Sequence, residues 1–254
     1  MTDPTGSAVV TGGAQGIGLA IARDLAAAGH RVAILGTRSP AAGDPIAQEL
    51  GPDHIYVQAD VADEAQVESA LAEVAAKLGR VSVLVNNAGV GSSADVAELE
   101  QKDWDAFFGV DLKGSWLMSK FAVPQMRELG GGAIVNISSI HATLTRAGMF
   151  PYAAAKAGIL GLTRSMALDL AADHIRVNAV SPGYIRTPPI ENLYNSRPDP
   201  KAAWARLEEV HPLGRIGTPE EVSAVVAFLA SPAASFVTGA TWNVDGGLSV
   251  RFAS

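Results

Sequence analysis

A chain of 254 residues that is 48% apolar and 18% charged can bury one large core, and its net charge of −7 argues against nucleic acid, which needs a dense basic face. The absence of cysteine excludes disulfides, thiolate catalysis and cysteine metal sites, and the five histidines lack metal-ligand spacing, so no metal is expected. The N-terminus lacks a basic, apolar leader and no run approaches the roughly 18 apolar residues of a membrane span; a cytoplasmic protein without membrane contact is expected.

Ser7–Thr11 (SAVVT) predicts a first strand. It runs into Thr11-Gly12-Gly13-Ala14-Gln15-Gly16-Ile17-Gly18, and residues 16–28 follow with Ile17, Ile21, Leu25 and Ala28 on one helical face before Gly29 stops them. Glycines here let the backbone approach a pyrophosphate, and the helix start offers free N–H groups and a positive dipole end. The spacing is Gly-x-x-x-Gly-x-Gly, not Gly-x-Gly-x-x-Gly. The plain alternative, a tight turn without a ligand, is weakened by position: the turn follows the first strand and opens a helix, as dinucleotide binding requires.

Residues 31–35 predict the second strand, which ends in Gly36-Thr37-Arg38-Ser39 with no acid between Arg31 and Gly43. An acid there would hold the ribose hydroxyls of NAD. Thr37, Arg38 and Ser39 instead suit a 2′-phosphate, which favours NADP; if Arg38 only lies along the adenine, NAD remains open. Strands are then expected at Ile55–Gln58, Val81–Asn86, 133–138, 175–181 and Thr241–Val244, and helices at Glu64–Leu78, 102–127, 152–170 and 220–229. Apolar strands alternating with helices imply a doubly wound Rossmann-type α/β fold. The expectation is one domain over 1–254, with a mostly parallel seven-stranded sheet and helices on both faces. Residues 183–212, with five prolines, predict an irregular substrate loop.

Ser138-Ser139 end the fifth strand, and Tyr152 and Lys156 stand four apart on a helix and so share a face. A free phenol, with a pKa near 10, is a poor base at neutral pH. A neighbouring ammonium favours the phenolate, which can then exchange a proton with a substrate oxygen while hydride moves at carbon. A serine hydroxyl beside it polarises the C–O bond. Alone, Tyr-x-x-x-Lys is an ordinary amphipathic spacing; the glycine turn and the strand-end serine make it a catalytic constellation.

The motifs TGGAQGIG (11–18), NNAG (86–89), ISS (137–139), YAAAK (152–156), RVNAVSPG (176–183) and VDGG (244–247) together resemble the short-chain dehydrogenase/reductase family, over essentially the whole chain. The resemblance implies that Gly12, Gly16 and Gly18, with Gln15 and Ile17, wrap the pyrophosphate, and that Thr37 and Arg38 take the adenosine end. It implies that Asp60 and Val61 contact adenine and that Asn87, Ala88 and Gly89 shape the cleft. Ser139, which stands 13 residues before Tyr152, would polarise the substrate oxygen, and Ser138 would be structural. Tyr152 would be the acid/base, Lys156 would hold the nicotinamide ribose, and Pro182, Gly183, Ile185 and Thr187 would position the nicotinamide. Asp111 departs from the family's Asn in a water relay to the lysine, with a charge that either supports or weakens Lys156.

His141 and Tyr184 are candidate substrate contacts, and Arg146, Met149, Asn192 and Trp204 are expected to reach the cleft. The segments Ser139-Ile140-His141-Ala142 and Phe150-Pro151-Tyr152 look like family members that oxidise aldoses at the anomeric carbon. The rival within the family is a 3-oxoacyl carrier protein or other ketone reductase. From another class, a non-catalytic dinucleotide sensor on the same fold is the alternative. The family resemblance further implies a homotetramer pairing the helices at 102–127 and 152–170 and packing the last strand.

Overall fold

The computed structural model describes residues 6–91 and 94–251; residues 1–5, part of the segment read above for a leader, lie outside them. The first strand, β1 (Ser7–Thr11), is buried at every position, as an apolar run covered on both faces must be. It leads to α1 (Gly16–Ala27), β2 (Arg31–Gly36), α2 (Pro40–Gln48), β3 (Ile55–Gln58), α3 (Glu64–Leu78) and β4 (Val81–Asn86). Next come α4 (Gln101–Phe108), a π-helical turn (Gly109–Lys113), α5 (Gly114–Glu128), β5 (Gly132–Ile137), α6 (Tyr152–Asp169) and β6 (Ile175–Pro182). The chain continues through α7 (Pro188–Asn195), α8 (Pro200–Glu209), α9 (Pro219–Ala230) and β7 (Thr241–Val244).

The seven strands are ordered β3-β2-β1-β4-β5-β6-β7, and every pairing is parallel. Alternation along each strand sends side chains to two cores. Val9, Leu84, Ile134 and Val177 meet α3 and α5 on one face; Val10, Val85, Val135 and Val180 meet α1 and α9 on the other. The order reverses between β1 and β4, which opens a crevice beyond their carboxyl ends.

Three sequence expectations need correction. The helix expected at 102–127 is α4 and α5 joined by the π-helical turn. Helix α2 was not anticipated, because Pro40, Gly43 and Pro45 all discourage a helix in sequence. Pro40 instead occupies the first turn, where its missing N–H costs nothing, and a side chain at Gly43 would collide with the Tyr56 ring. Residues 183–212 are not irregular, since they hold α7 and α8. Pro188 and Pro200 open these helices, and Asp199 caps α8 by accepting from the Ala202 N–H at 3.0 Å.

Buried polar links fix the strands that end at the crevice. Asn86 Nδ2 donates to Asn136 Oδ1 (2.8 Å), and Asn136 Nδ2 to Thr163 Oγ1 (2.9 Å), which ties β4 and β5 to α6. Arg176 donates to the carbonyls of Leu229 (2.7 Å), Ala230 and Ser231, satisfying the otherwise orphaned C-terminus of α9.

Candidate active site

The crevice is a cleft of about 1020 Å³, and its first wall is the glycine turn. Gly12 and Gly16 have φ of +64° and +54°, a left-handed backbone that suits glycine. A side chain on Gly18 would collide with the Gly12 carbonyl, and one on Gly16 would press on the Thr187 methyl at 3.2 Å. Thr11 Oγ1 accepts from the N–H groups of Asn87 and Ala88, both at 2.9 Å, and Asn87 Nδ2 donates to the Thr11 carbonyl at 2.9 Å. The turn and the loop after β4 are thereby locked together. A rigid, glycine-lined backbone cradle at a helix N-terminus, at the switch point of a parallel sheet, fits a dinucleotide pyrophosphate.

Gln15, Ile17, Thr37, Arg38, Asp60, Val61, Ala88, Gly89, Pro182, Gly183 and Ile185 line the same cleft. Arg38 donates to Gln15 Oε1 at 2.9 Å, so the end of β2 is linked to the glycine turn. Asp60 Oδ1 accepts from the Ala62 N–H at 2.9 Å. Among the described lining residues, Asp60 and Asp111 are the acids, and the end of β2 contributes none.

Ser139, Tyr152, Lys156 and Asp111 line this cleft as well. Ser139 is buried two residues past the end of β5, where it caps a short 3-10 turn, and its Oγ accepts from the His141 N–H at 3.2 Å, which leaves the hydroxyl proton for another acceptor. Ser138 Oγ donates to the Lys156 carbonyl at 2.8 Å, pinning α6 to the strand end. Lys156 Nζ lies 5.6 Å from the Tyr152 ring centroid and 3.1 Å from Asp111 Oδ1. Both charged side chains are almost wholly buried, at 6% and 0% exposure. Asp111 Oδ2 accepts from the Val90 N–H at 2.8 Å; Oδ1 faces the ammonium without hydrogen-bond alignment. Asp111 belongs to the π-helical turn, a distortion frequent at functional sites. A side chain at Gly89 would stand 2.9 Å from Asp111 Oδ1 and 3.2 Å from Lys156 Nζ, so the pair needs glycine there.

Beyond Tyr152 lies a wall of rings. The His141 ring meets Tyr152 and Tyr184 edge-on, with centroids 6.0 and 6.4 Å apart, and its Nδ1 lies 3.2 Å from Thr145 Oγ1. Burial, and secondly the charge of Arg146, push the His141 pKa below its usual value, so the ring is neutral at neutral pH. Arg146 and Met149 line the cleft as expected, whereas Asn192 and Trp204 do not. Trp204 packs behind the wall, its ring centroid 5.2 Å from that of Tyr194 and 4.5 Å from the Arg186 guanidinium. The cleft is lined instead by Ile190, Leu193, Tyr194 and Arg197, which sequence reasoning missed. Ile190, Leu193 and Tyr194 share one face of α7 and Arg197 lies just past its end, a pattern hidden by reading the prolines as loop formers.

The chain is similar to known dehydrogenases and reductases over nearly its whole length. A family model described as enoyl-(acyl carrier protein) reductase matches residues 12–249. A cis-4-hydroxycyclohexanecarboxylate dehydrogenase of Sinomonas cyclohexanicum is 44% identical over 244 residues, covering 94% of this chain and 95% of that one. A 3-oxoacyl-[acyl-carrier-protein] reductase of Thermotoga maritima is 41% identical, covering 95% and 97%. The ligand-free structure of Thermoplasma acidophilum aldohexose dehydrogenase superposes with a TM-score of 0.89 at 35% identity, covering 100% and 98%.

Proposed function

From the premise that the chain belongs to the short-chain dehydrogenase/reductase family, and is an oxidoreductase acting on CH–OH groups, we propose that it interconverts a small alcohol and its carbonyl with NADP(H). The observation that carries this reading is one cleft in which a glycine cradle for a dinucleotide adjoins Ser139, Tyr152 and Lys156. When bound, a nicotinamide supplies or accepts the hydride. Tyr152 exchanges the proton with the substrate oxygen. Ser139 donates its free hydroxyl proton to the same oxygen and polarises the C–O bond. Lys156 holds positive charge beside the phenol, and Asp111 orients the ammonium. Three groups arranged for chemistry have no purpose in a binding-only sensor.

Arg38, with no acid beside it at the end of β2, favours the 2′-phosphate of NADP over NAD. A sugar oxidised at its anomeric carbon is the first substrate reading, supported by the likeness to aldohexose dehydrogenase. A 3-oxoacyl chain on a carrier protein is the second, favoured by the 41% identity to the reductase from Thermotoga maritima. The whole chain would form one domain, with α7 and α8 covering the substrate end.

Two apolar surfaces support assembly as a homotetramer. Phe108, Leu112, Trp116 and Leu162 line a groove between the long helices, and Phe228, Phe236 and Trp242 are exposed near the last strand. Kinetics with both cofactors tests the nicotinamide assignment. We expect at least a tenfold preference for NADP(H), largely lost in Arg38→Ala; an NAD preference that survives the substitution contradicts it. A panel of aldoses, simple ketones and 3-oxoacyl thioesters, followed by nicotinamide absorbance, ranks the substrate readings.

A further inference from the structure

Arg146 and Arg197, two exposed cations that line the substrate end of the cleft, make no ion pair among the described residues. Arg146 lines the cleft with its Nε donating to the Tyr184 hydroxyl at 3.3 Å; its other contact is the neighbouring Ala147 carbonyl at 3.4 Å. Arg197, one turn beyond Leu193 and Tyr194, lines the same wall, and among the described residues its side chain makes no ion pair. The nearby acids are committed elsewhere. Glu191 pairs with Arg186 at 3.6 Å, Asp199 caps α8, and Asp111 faces Lys156. Both arginines border the cleft on the side that carries Tyr184 and Tyr194. Two positive side chains therefore line the substrate end of one cleft, in a chain whose net charge is −7.

The remaining surroundings are apolar or aromatic: Met149, Ile190 and Leu193, with the His141–Tyr184 wall leading back to Tyr152. We infer that the substrate carries a carboxylate remote from its reacting carbinol carbon. Arg146 and Arg197 would clamp the carboxylate while Met149, Ile190 and Leu193 cover a compact hydrocarbon skeleton between it and Tyr152. A guanidinium fork matches a carboxylate with two parallel charge-assisted hydrogen bonds. Two such forks without counter-ions repel each other until an anion enters between them. The Tyr184 hydroxyl, which accepts from Arg146, keeps that guanidinium turned along the wall. This inference deepens the proposed function and rests on it for the reaction, although not for the binding.

The binding arm of the test uses cyclohexanecarboxylate and its neutral amide, titrated calorimetrically into the intact enzyme with and without NADP+. We expect the carboxylate to bind at least tenfold more tightly than the amide. Arg146→Gln and Arg197→Gln should each weaken the carboxylate about tenfold and leave the amide and NADP+ unchanged, with the lysine variants intermediate. The kinetic arm compares 4-oxocyclohexanecarboxylate with its methyl ester; the acid should show at least a tenfold higher kcat/KM. An amide that binds as well as the acid overturns the inference. So does a loss of NADP+ affinity in place of carboxylate affinity, or inorganic phosphate binding more tightly than the carboxylate. Because titration needs no turnover, carboxylate binding that persists in an inactive Tyr152→Phe enzyme separates failure of this inference from failure of the redox reading.

Discussion

Asp111 and Lys156 form a buried ion pair, and removing one partner of such a pair strands the other charge. Asp111→Leu should therefore destabilise the protein by about 3–5 kcal/mol, measured by denaturant unfolding. Asp111→Asn keeps an oxygen for the Val90 N–H and so should cost less stability than Asp111→Leu, although it too leaves Lys156 without its counter-charge. Its pH–rate profile should move toward lower pH as the ammonium acts on the phenol alone. A profile superimposable on that of the parent would show that Asp111 has no part in proton handling. That Ser139, Tyr152 and Lys156 share one cleft was legible in the sequence, because helical geometry and a serine after a strand need few long-range facts. The partner of Lys156 was only half legible: Asp111 stood out as a departure, but its 3.1 Å approach depends on the π-helical turn and on the missing side chain of Gly89.

Helix α7 forms the outer wall of the cleft and is braced from behind by α8. Trp204 packs on Tyr194, and its Nε1 donates to Asn195 Oδ1 at 2.9 Å, yet it does not line the cleft. Trp204→Ala should raise KM several-fold with a smaller change in kcat, because it loosens a wall without touching the reacting groups. A fall in kcat at constant KM would mean that the brace acts on chemistry. At the start of α9, hydrogen bonds from Arg215, and then from the Thr218 N–H, hold the Glu221 carboxyl down to about 2. A depressed carboxylate stabilises the fold above its unfolded value near 4.5, and that contribution is lost as pH falls toward 2. The pair is half exposed and screened by solvent, so Glu221→Gln should cost no more than about 1 kcal/mol at pH 7, as thermal unfolding can show. These elements also mark the limit of sequence reading. The strands and α1, α3 and α6 followed from apolar period and glycine stops, whereas α2, α7 and α8 begin at prolines whose meaning depends on whether they fall at a first turn.

Across the molecule, three histidines share one electrostatic bias. His30 is pushed down by burial, His54 by burial against the opposing pull of Asp53, and His141 by burial and then Arg146. Each stays neutral in the fold at a pH where the unfolded chain, with its histidines near 6.5, binds a proton. The unfolded state then holds more protons, so stability falls as pH drops below 6.5 toward the folded values. The melting temperature should be several degrees lower at pH 5.5 than at pH 7.5, and His30→Gln should flatten that dependence; equal melting temperatures would contradict the assignment. At this scale the α/β order was the most legible feature, because seven apolar strands alternating with helices leave few topologies. The placing of Arg146 and Arg197 in one cleft, from segments 51 positions apart in the chain, required the fold.

The proposed reaction requires Tyr152 to exchange the proton beside a cofactor held by the glycine turn. Turnover and NADP+ affinity measured together in Tyr152→Phe test this most directly. Loss of kcat by roughly 100-fold or more with an unchanged dissociation constant for NADP+ is the predicted result. A phenylalanine enzyme that turns over at the parent rate would contradict it.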